Sequence, residues 1–224
     1  MDERKLLLVT HVVDAYISTA HPVGSQVLAS RYRLSWSSAT IRNVLSHLEE
    51  EGYMFQPYTS AGRVPTHLGY RLYLEHVHVA RLNPALERSL SSMAEQMASF
   101  DELRELCRIL SRLTQEVVFT VTRLGSFTTG TRFITRKPEA EDPAFMRDIT
   151  NAIDALEDIC AALETEIGSI TQCIGDGQTF GGACSVLLVR VPFQRSTVMI
   201  GILGPLRMNY HKNIALLQSL IPKP

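Results

Sequence analysis

The pattern of apolar and polar positions is clearest between Ser37 and Gly52. Ile41, Val44, Leu45 and Leu48 recur at i, i+3, i+4 and i+7, a single stripe at helical period. Ser37 can cap the start of this helix, and Gly52 can supply the left-handed residue that ends it. Opposite the stripe lie Ala39, Asn43 and Ser46, flanked by Thr40, Arg42 and His47. Short hydrogen-bonding side chains with one cation fit against base edges in a major groove; a merely solvated face more often carries Lys and Glu.

Upstream, Glu3 to Thr19 is amphipathic through Leu6, Val9, Val13, Tyr16 and Ile17, and His21-Pro22 ends it. Val23 to Tyr32 reads as a short helix with Ser25 as cap, followed by a turn through Leu34-Ser35 into the Ser37 helix. That order is a helix-turn-helix. Tyr53 to Gln56 is a short strand candidate, and Thr59 to Pro65 a small-residue loop tipped by Arg63. A hairpin placed there is a wing, and an arginine at its tip can reach phosphate or minor groove. The candidate DNA-binding set is therefore Ser38, Ala39, Thr40, Arg42, Asn43, Ser46 and His47 on the helix, with Ser60, Gly62 and Arg63 on the wing.

From Asn83-Pro84 onward, Leu86, Leu90, Met93, Met97 and Phe100 alternate in spacing between four and three, and Leu103, Leu106, Leu110, Leu113 and Val117 continue the series. Such seams pack helix on helix, either as a hairpin within one subunit or between two subunits. Palindromic DNA sites call for two-fold proteins, which favours a share in a homodimer. Glu116 to Thr122 reads as a buried strand, Pro143 to Ile167 as one long helix and Ser169 to Ile174 as a strand. Ala183 to Val191 and Thr197 to Leu203 read as strands around a turn at Pro192 to Ser196, and Met208 to Ile221 as a closing helix. The fold class expected is α+β: a winged helix-turn-helix over residues 1–81, a helical linker or dimerisation segment over 82–116, and an α+β effector domain over 117–224.

Particular motifs carry a resemblance. Pro22-Val23-Gly24-Ser25, Ser37-Ser38-Ala39-Thr40-Ile41-Arg42-Asn43, Leu48-Glu49-Glu50 and Gly52-Tyr53 stand in order, followed by Gln56 to Thr66 and by Gly69-Tyr70-Arg71-Leu72-Tyr73. Near the C-terminus Ile202-Leu203-Gly204-Pro205-Leu206-Arg207-Met208-Asn209-Tyr210 agrees. Together these resemble the heat-inducible transcription repressor family HrcA. The resemblance is dense over residues 1–81 and 183–221, moderate over 103–124 and slight between 125 and 182, where the chain looks shortened. It implies a GAF-like effector domain and a double-stranded, inverted-repeat operator upstream of chaperone and chaperonin operons. It also implies the GroE chaperonin as a partner that keeps the repressor active until heat stress diverts it.

Composition changes this picture little. The chain has 224 residues, 45% of them apolar and 20% charged, the profile of an ordinary globular protein. Its net charge of −1 argues against a non-specific nucleic-acid coater. The electrostatic case for DNA rests on where Arg31, Arg33, Arg42 and Arg63 point. No segment reads as a membrane span or a signal peptide, which implies a cytoplasmic protein. Cys107, Cys160, Cys173 and Cys184 lack metal-site or Cys-x-x-Cys spacing and read as reduced, buried thiols. The glycines at 175, 177, 181 and 182 have no Gly-Lys-Ser/Thr companion and read as a loop, so no cofactor and no metal is expected. Asp176, Cys184 and His211 could be drawn as a catalytic set, but nothing in the sequence orders them, so no enzyme is expected. Two other readings compete: a ligand-sensing winged-helix regulator of another regulon, with a cavity under the 183–203 strands, and a protein-interaction adaptor that has lost DNA binding.

Overall fold

The computed structural model describes residues 2–123, 125–175 and 180–222. The chain divides into two compact units, residues 1–77 and 78–224.

In the first unit, α1 (Glu3–Thr19) is capped by the Asp2 carboxylate and buries Leu8, Val9, Val12, Val13 and Ala15. It ends at Ala20, whose φ of 57° is left-handed. α2 (Ser25–Arg31) follows, with Gly24 rather than Ser25 at its N-cap and no side-chain cap bond. α3 (Ser38–Glu50) is capped by Ser37, whose Oγ accepts from the Thr40 N–H, and it buries Ile41, Leu45 and Leu48. Gly52 then adopts φ 81°, the turn its lack of a Cβ permits. β1 (Met54–Phe55) and β2 (Val64–Pro65) form an antiparallel pair. A further helix that the sequence reading did not draw, α4 (His67–Glu75), buries Tyr70, Tyr73 and Leu74. Its cap Thr66 ties the hairpin down by donating from Oγ1 to the Gly52 carbonyl at 2.6 Å. Tyr73 donates its hydroxyl to Asp14 on α1 at 2.7 Å. His11 stacks on Tyr32 with ring centroids 3.8 Å apart.

The second unit opens with α5 (Pro84–Gln96), capped by Asn83, and α6 (Phe100–Thr114), which has a full capping box of Ser99 and Glu102. The Leu103, Leu106 and Leu110 seam is fully buried within this unit, where α6 packs on β3 (Val117–Thr122). That stretch of the seam is therefore spent inside one subunit, because a side chain with no exposure cannot also cover a second copy. β4 (Gly125–Thr129) and the short α7 (Thr131–Ile134) were not foreseen in the sequence. The long helix expected over 143–167 is two helices, α8 (Pro143–Asp154) and α9 (Leu156–Ala162), with a break at Ala155 and extended backbone from Leu163. Ile167, at the end of that extended stretch, is exposed.

β5 (Ile170–Ile174), β6 (Cys184–Phe193) and β7 (Ser196–Pro205) complete a five-stranded antiparallel sheet in the order β4-β3-β7-β6-β5. β6 and β7 pair from Cys184↔Pro205 to Phe193↔Ser196, so Pro192 and Phe193 belong to a strand and only Gln194-Arg195 form the turn. Such a two-residue loop demands positive φ, and Gln194 has φ 54°. One sheet face (Val117, Phe119, Val186, Leu188, Met199, Leu203) packs with Phe145, Ile149, Leu156 and Cys160 of α8 and α9. The alternate residues Leu187, Val189, Ile200 and Ile202 are buried too, so both faces are covered. α10 (Tyr210–Gln218) closes the unit and contacts α6 and β6.

Candidate nucleic-acid interface

The cap at Ser37 and the buried stripe fix the rotation of α3, and that rotation decides what faces out. Ala39, Thr40, Arg42, Asn43 and His47 are exposed, while Ser38 and Ser46 are half-buried. Several of these side chains are already occupied. Ser37 Oγ and Thr40 Oγ1 lie 2.9 Å apart, Ser46 donates to the Arg42 carbonyl at 3.1 Å, and His47 Nδ1 lies 3.3 Å from Glu50. Among the described residues, the Arg42 and Asn43 side chains have no hydrogen-bond or ionic partner. They are the two groups on this face that are free to meet a ligand.

The hairpin beside α3 is arranged differently from the expectation. Arg63 does not extend from the loop tip. Its Nη2 lies 2.8 Å from Glu49 Oε2 and its side chain is 13% exposed. Its backbone forms a two-way bridge with Val23, both hydrogen bonds at 2.9 Å. The physical reason is local. Glu49 is the penultimate residue of α3, and its Oε1 also accepts from the Gln56 N–H at 3.0 Å, so one carboxylate holds both arms of the hairpin. Gly62 makes the bridge possible, because a Cβ there would stand 2.3 Å from the Val23 carbonyl carbon. Gln56 Nε2 donates to the Ala61 carbonyl at 2.8 Å and closes the loop. Its tip carries Ser60, at φ 71°, and Tyr58, which is 67% exposed.

The other candidate cations divide similarly. Both are exposed, but Arg31 donates to Ser18 Oγ at 3.0 Å and lies over the Tyr32 ring, whereas the Arg33 side chain has no hydrogen-bond or ionic partner among the described residues. A groove of about 650 Å³ runs between α2, α3 and the hairpin, with Arg42, Ser46, Ser60 and Gly62 in its walls. Gln26 and Val27 on α2 and Gln56 on the hairpin also line it. None of these three is in the candidate set from sequence. The exposed Gln26 and Val27 at the start of a short helix were the available signal.

Of the three residues that could be drawn as a catalytic set, Cys184 and His211 are among the described residues. Burial pushes the Cys184 thiol up to about 12, and His211 Nδ1 is engaged by the His78 carbonyl. Asp176 and Gly177 lie outside the described residues. Cys107 and Cys160 are likewise buried, with thiols pushed up to about 12. Among the described residues no group of three or more His, Cys, Asp or Glu stands together to hold a metal ion, and no helix is long and apolar enough to cross a membrane.

In class, this is a two-unit chain: a small helical unit with a hairpin beside an exposed helix face, then a mixed α/β unit on a five-stranded antiparallel sheet. The model of the HrcA protein C-terminal domain matches residues 72–214, and the chain belongs to that family. It is 44% identical over 119 residues to the heat-inducible transcription repressor HrcA of Thermobifida fusca, covering 52% of this chain and 35% of that protein. With the protein of the same name from Alkaliphilus metalliredigens it shares 42% over 118 residues, covering 51% and 34%. The match thus spans about a third of the length of these relatives. A hypothetical protein with a crystal structure at 2.2 Å resolution superposes with a TM-score of 0.76 at 17% identity, over 98% of this chain and 96% of that one, a likeness of fold.

Proposed function

We propose that the protein is a transcriptional repressor of heat-shock operons whose first unit is a winged helix reading an inverted-repeat operator. The observation that carries this is the outer face of α3, where Arg42 and Asn43 stand exposed and, among the described residues, without side-chain partners, Arg42 also lining the groove of about 650 Å³. An Asn amide there can pair bidentately with adenine, and Arg42 can take guanine or phosphate. The supporting context is membership of the HrcA family and the name of the relatives it matches.

In this reading the wing is positioned rather than charged. Arg63 and Gly62 anchor the hairpin to Val23 and Glu49, and Ser60 and Tyr58 present the tip. Two copies of the chain bind the two half-sites, since an inverted repeat is matched by a two-fold protein. The second unit is the GAF-like effector domain, and the GroE chaperonin acts on it by keeping the repressor folded. A marginally stable repressor loses its operator when that support is withdrawn, because one or two kcal/mol is a large share of a domain's stability.

The test is a gel shift of the full chain on the inverted repeat from a chaperonin operon and on a scrambled duplex, with and without chaperonin. Tight, specific binding that survives longer at elevated temperature with chaperonin supports the proposal. Equal affinity for both duplexes overturns the specific-repressor reading, and no binding to either favours an adaptor.

A further inference from the structure

Arg190 interrupts an otherwise apolar run. β6 is buried from Cys184 to Val191 except at this residue. Strand alternation puts Arg190 on the same face as Cys184, Val186 and Leu188, the face that α8 and α9 cover. Its cross-strand partner is Met199. The guanidinium therefore stands at the end of a core layer, where a charge is costly unless something pairs with it. Among the described residues no carboxylate forms an ion pair with it.

A cleft of about 300 Å³ opens at that point, between the sheet and α9. Met199 and Thr197 of β7 form its floor, and Cys160 and Glu157 of α9 form its wall. Arg123, exposed at the end of β3, brings a second guanidinium to the rim, also without an ionic partner among the described residues. We propose that this cleft binds a small organic monocarboxylate, its charge held by Arg190 and Arg123 and its apolar body laid against Met199 and Cys160.

Guanidinium is the side chain whose planar fork matches a carboxylate with two parallel hydrogen bonds. The volume lies at the small end of ligand pockets and suits a body of a few carbons. Cys160 remains a neutral apolar wall, since burial holds its thiol up at about 12. Glu157 limits the charge that can enter. Its Oε1 already accepts from Ser126 at 2.8 Å, and its negative charge faces the cleft, disfavouring a dianion. This site does not depend on whether the first unit binds DNA.

The test uses the full chain at constant ionic strength, with thermal unfolding and saturation-transfer NMR as readouts. The probes are benzoate, hexanoate, neutral benzamide and inorganic phosphate. Benzoate and hexanoate should bind saturably and raise the unfolding temperature, while benzamide and phosphate should not. Arg190→Met should weaken carboxylate binding at least tenfold. Ala161→Trp, which places bulk at the exposed rim and leaves both arginines in place, should do the same in a chain that folds normally. The proposal is overturned if neither carboxylate binds, if benzamide or phosphate matches them, or if both variants bind as the parent does.

Discussion

Glu116–Lys137 and Glu49–Arg63 are nearly the same contact in two settings. The first spans 2.7 Å and the second 2.8 Å. In the second unit the carboxylate side chain is 3% exposed, whereas Glu49 in the first unit is 35% exposed. Burial, not distance, separates their consequences. Desolvation pushes Glu116 up to about 7 despite Lys137, and Glu116 Oε2 is buried without a hydrogen-bond partner. Glu49 keeps water nearby and serves as a clamp, with one oxygen on the Gln56 N–H and the other on Arg63. Glu49 thus stays partly solvated beside the candidate interface, whereas Glu116 is buried where it bears on stability.

The largest expected effect follows from breaking the buried pair. Lys137→Ala leaves a buried carboxylate uncompensated and should cost about 3–5 kcal/mol at pH 8, measured by urea unfolding. The cost should shrink toward pH 5, because the stranded carboxyl can take up a proton instead. Adding Glu116→Gln to Lys137→Ala should recover much of the loss. If the single variant loses nothing at pH 8, the pair contributes no more than a surface bridge does.

The two units should also respond to pH with opposite signs. Glu116 has its folded pKa raised from 4.5 to about 7, so its contribution is full below pH 4.5 and is lost as pH rises through about 7. In the first unit, burial against Tyr32 lowers His11 below 6.5, with Asp14 opposing. A histidine held neutral contributes above pH 6.5, and that contribution is lost as pH falls through its folded pKa. Glu116→Gln should flatten the alkaline decline, and His11→Phe, which keeps the stack, should flatten the acidic one. Unfolding followed at several pH values between 4 and 8 checks both. Slopes of the same sign for the two variants would contradict the assignment.

On the readable surface the expected effect is smaller and falls on binding. Asn43→Ala should cost about 1–3 kcal/mol of operator affinity and relax preference at one base position, as for loss of one bidentate contact. Its stability should not fall, since the side chain is exposed and has no hydrogen-bond or ionic partner among the described residues, and Ala is the better helix former. Equal losses on operator and random duplex would make Asn43 a positioning contact only.

What the sequence made legible follows the same division. α3 could be drawn with its cap, stripe and outer face because all three signals are local, within one turn of the residues they govern. The break at Ala155 could not, because the apolar period runs on through Leu156, Ile159 and Cys160 with no Pro or Gly to mark it. Packing of α9 on the sheet decides it. Glu116 sat at the start of a strand that was drawn correctly, yet its ionic partner is Lys137, 21 residues away across a stretch with little recognisable pattern. Arg63 is the instructive case for the site. Its place in the loop was legible, while its direction was set by Glu49 and by a bridge to Val23, forty residues upstream.

That direction gives the smallest and sharpest prediction. The Arg63 side chain is 13% exposed and Glu49 35%, so the pair is only partly solvated and Arg63→Ala should lower the stability of the first unit by about 1 kcal/mol, the upper end of the range for a surface pair. A phosphate-binding arginine, once removed, lowers the slope of log affinity against log salt by about one. Arg63 faces Glu49 rather than solvent, so its removal should weaken binding through a loosened hairpin and leave the slope unchanged. Arg42→Ala, from the exposed face of α3, should lower the slope by about one in the same titration. Glu49→Gln should behave like Arg63→Ala, since it releases the other half of the clamp. A slope that falls for Arg63→Ala and stays constant for Glu49→Gln would mean that Arg63 leaves Glu49 for the phosphate when DNA binds, and the wing would then be charged after all.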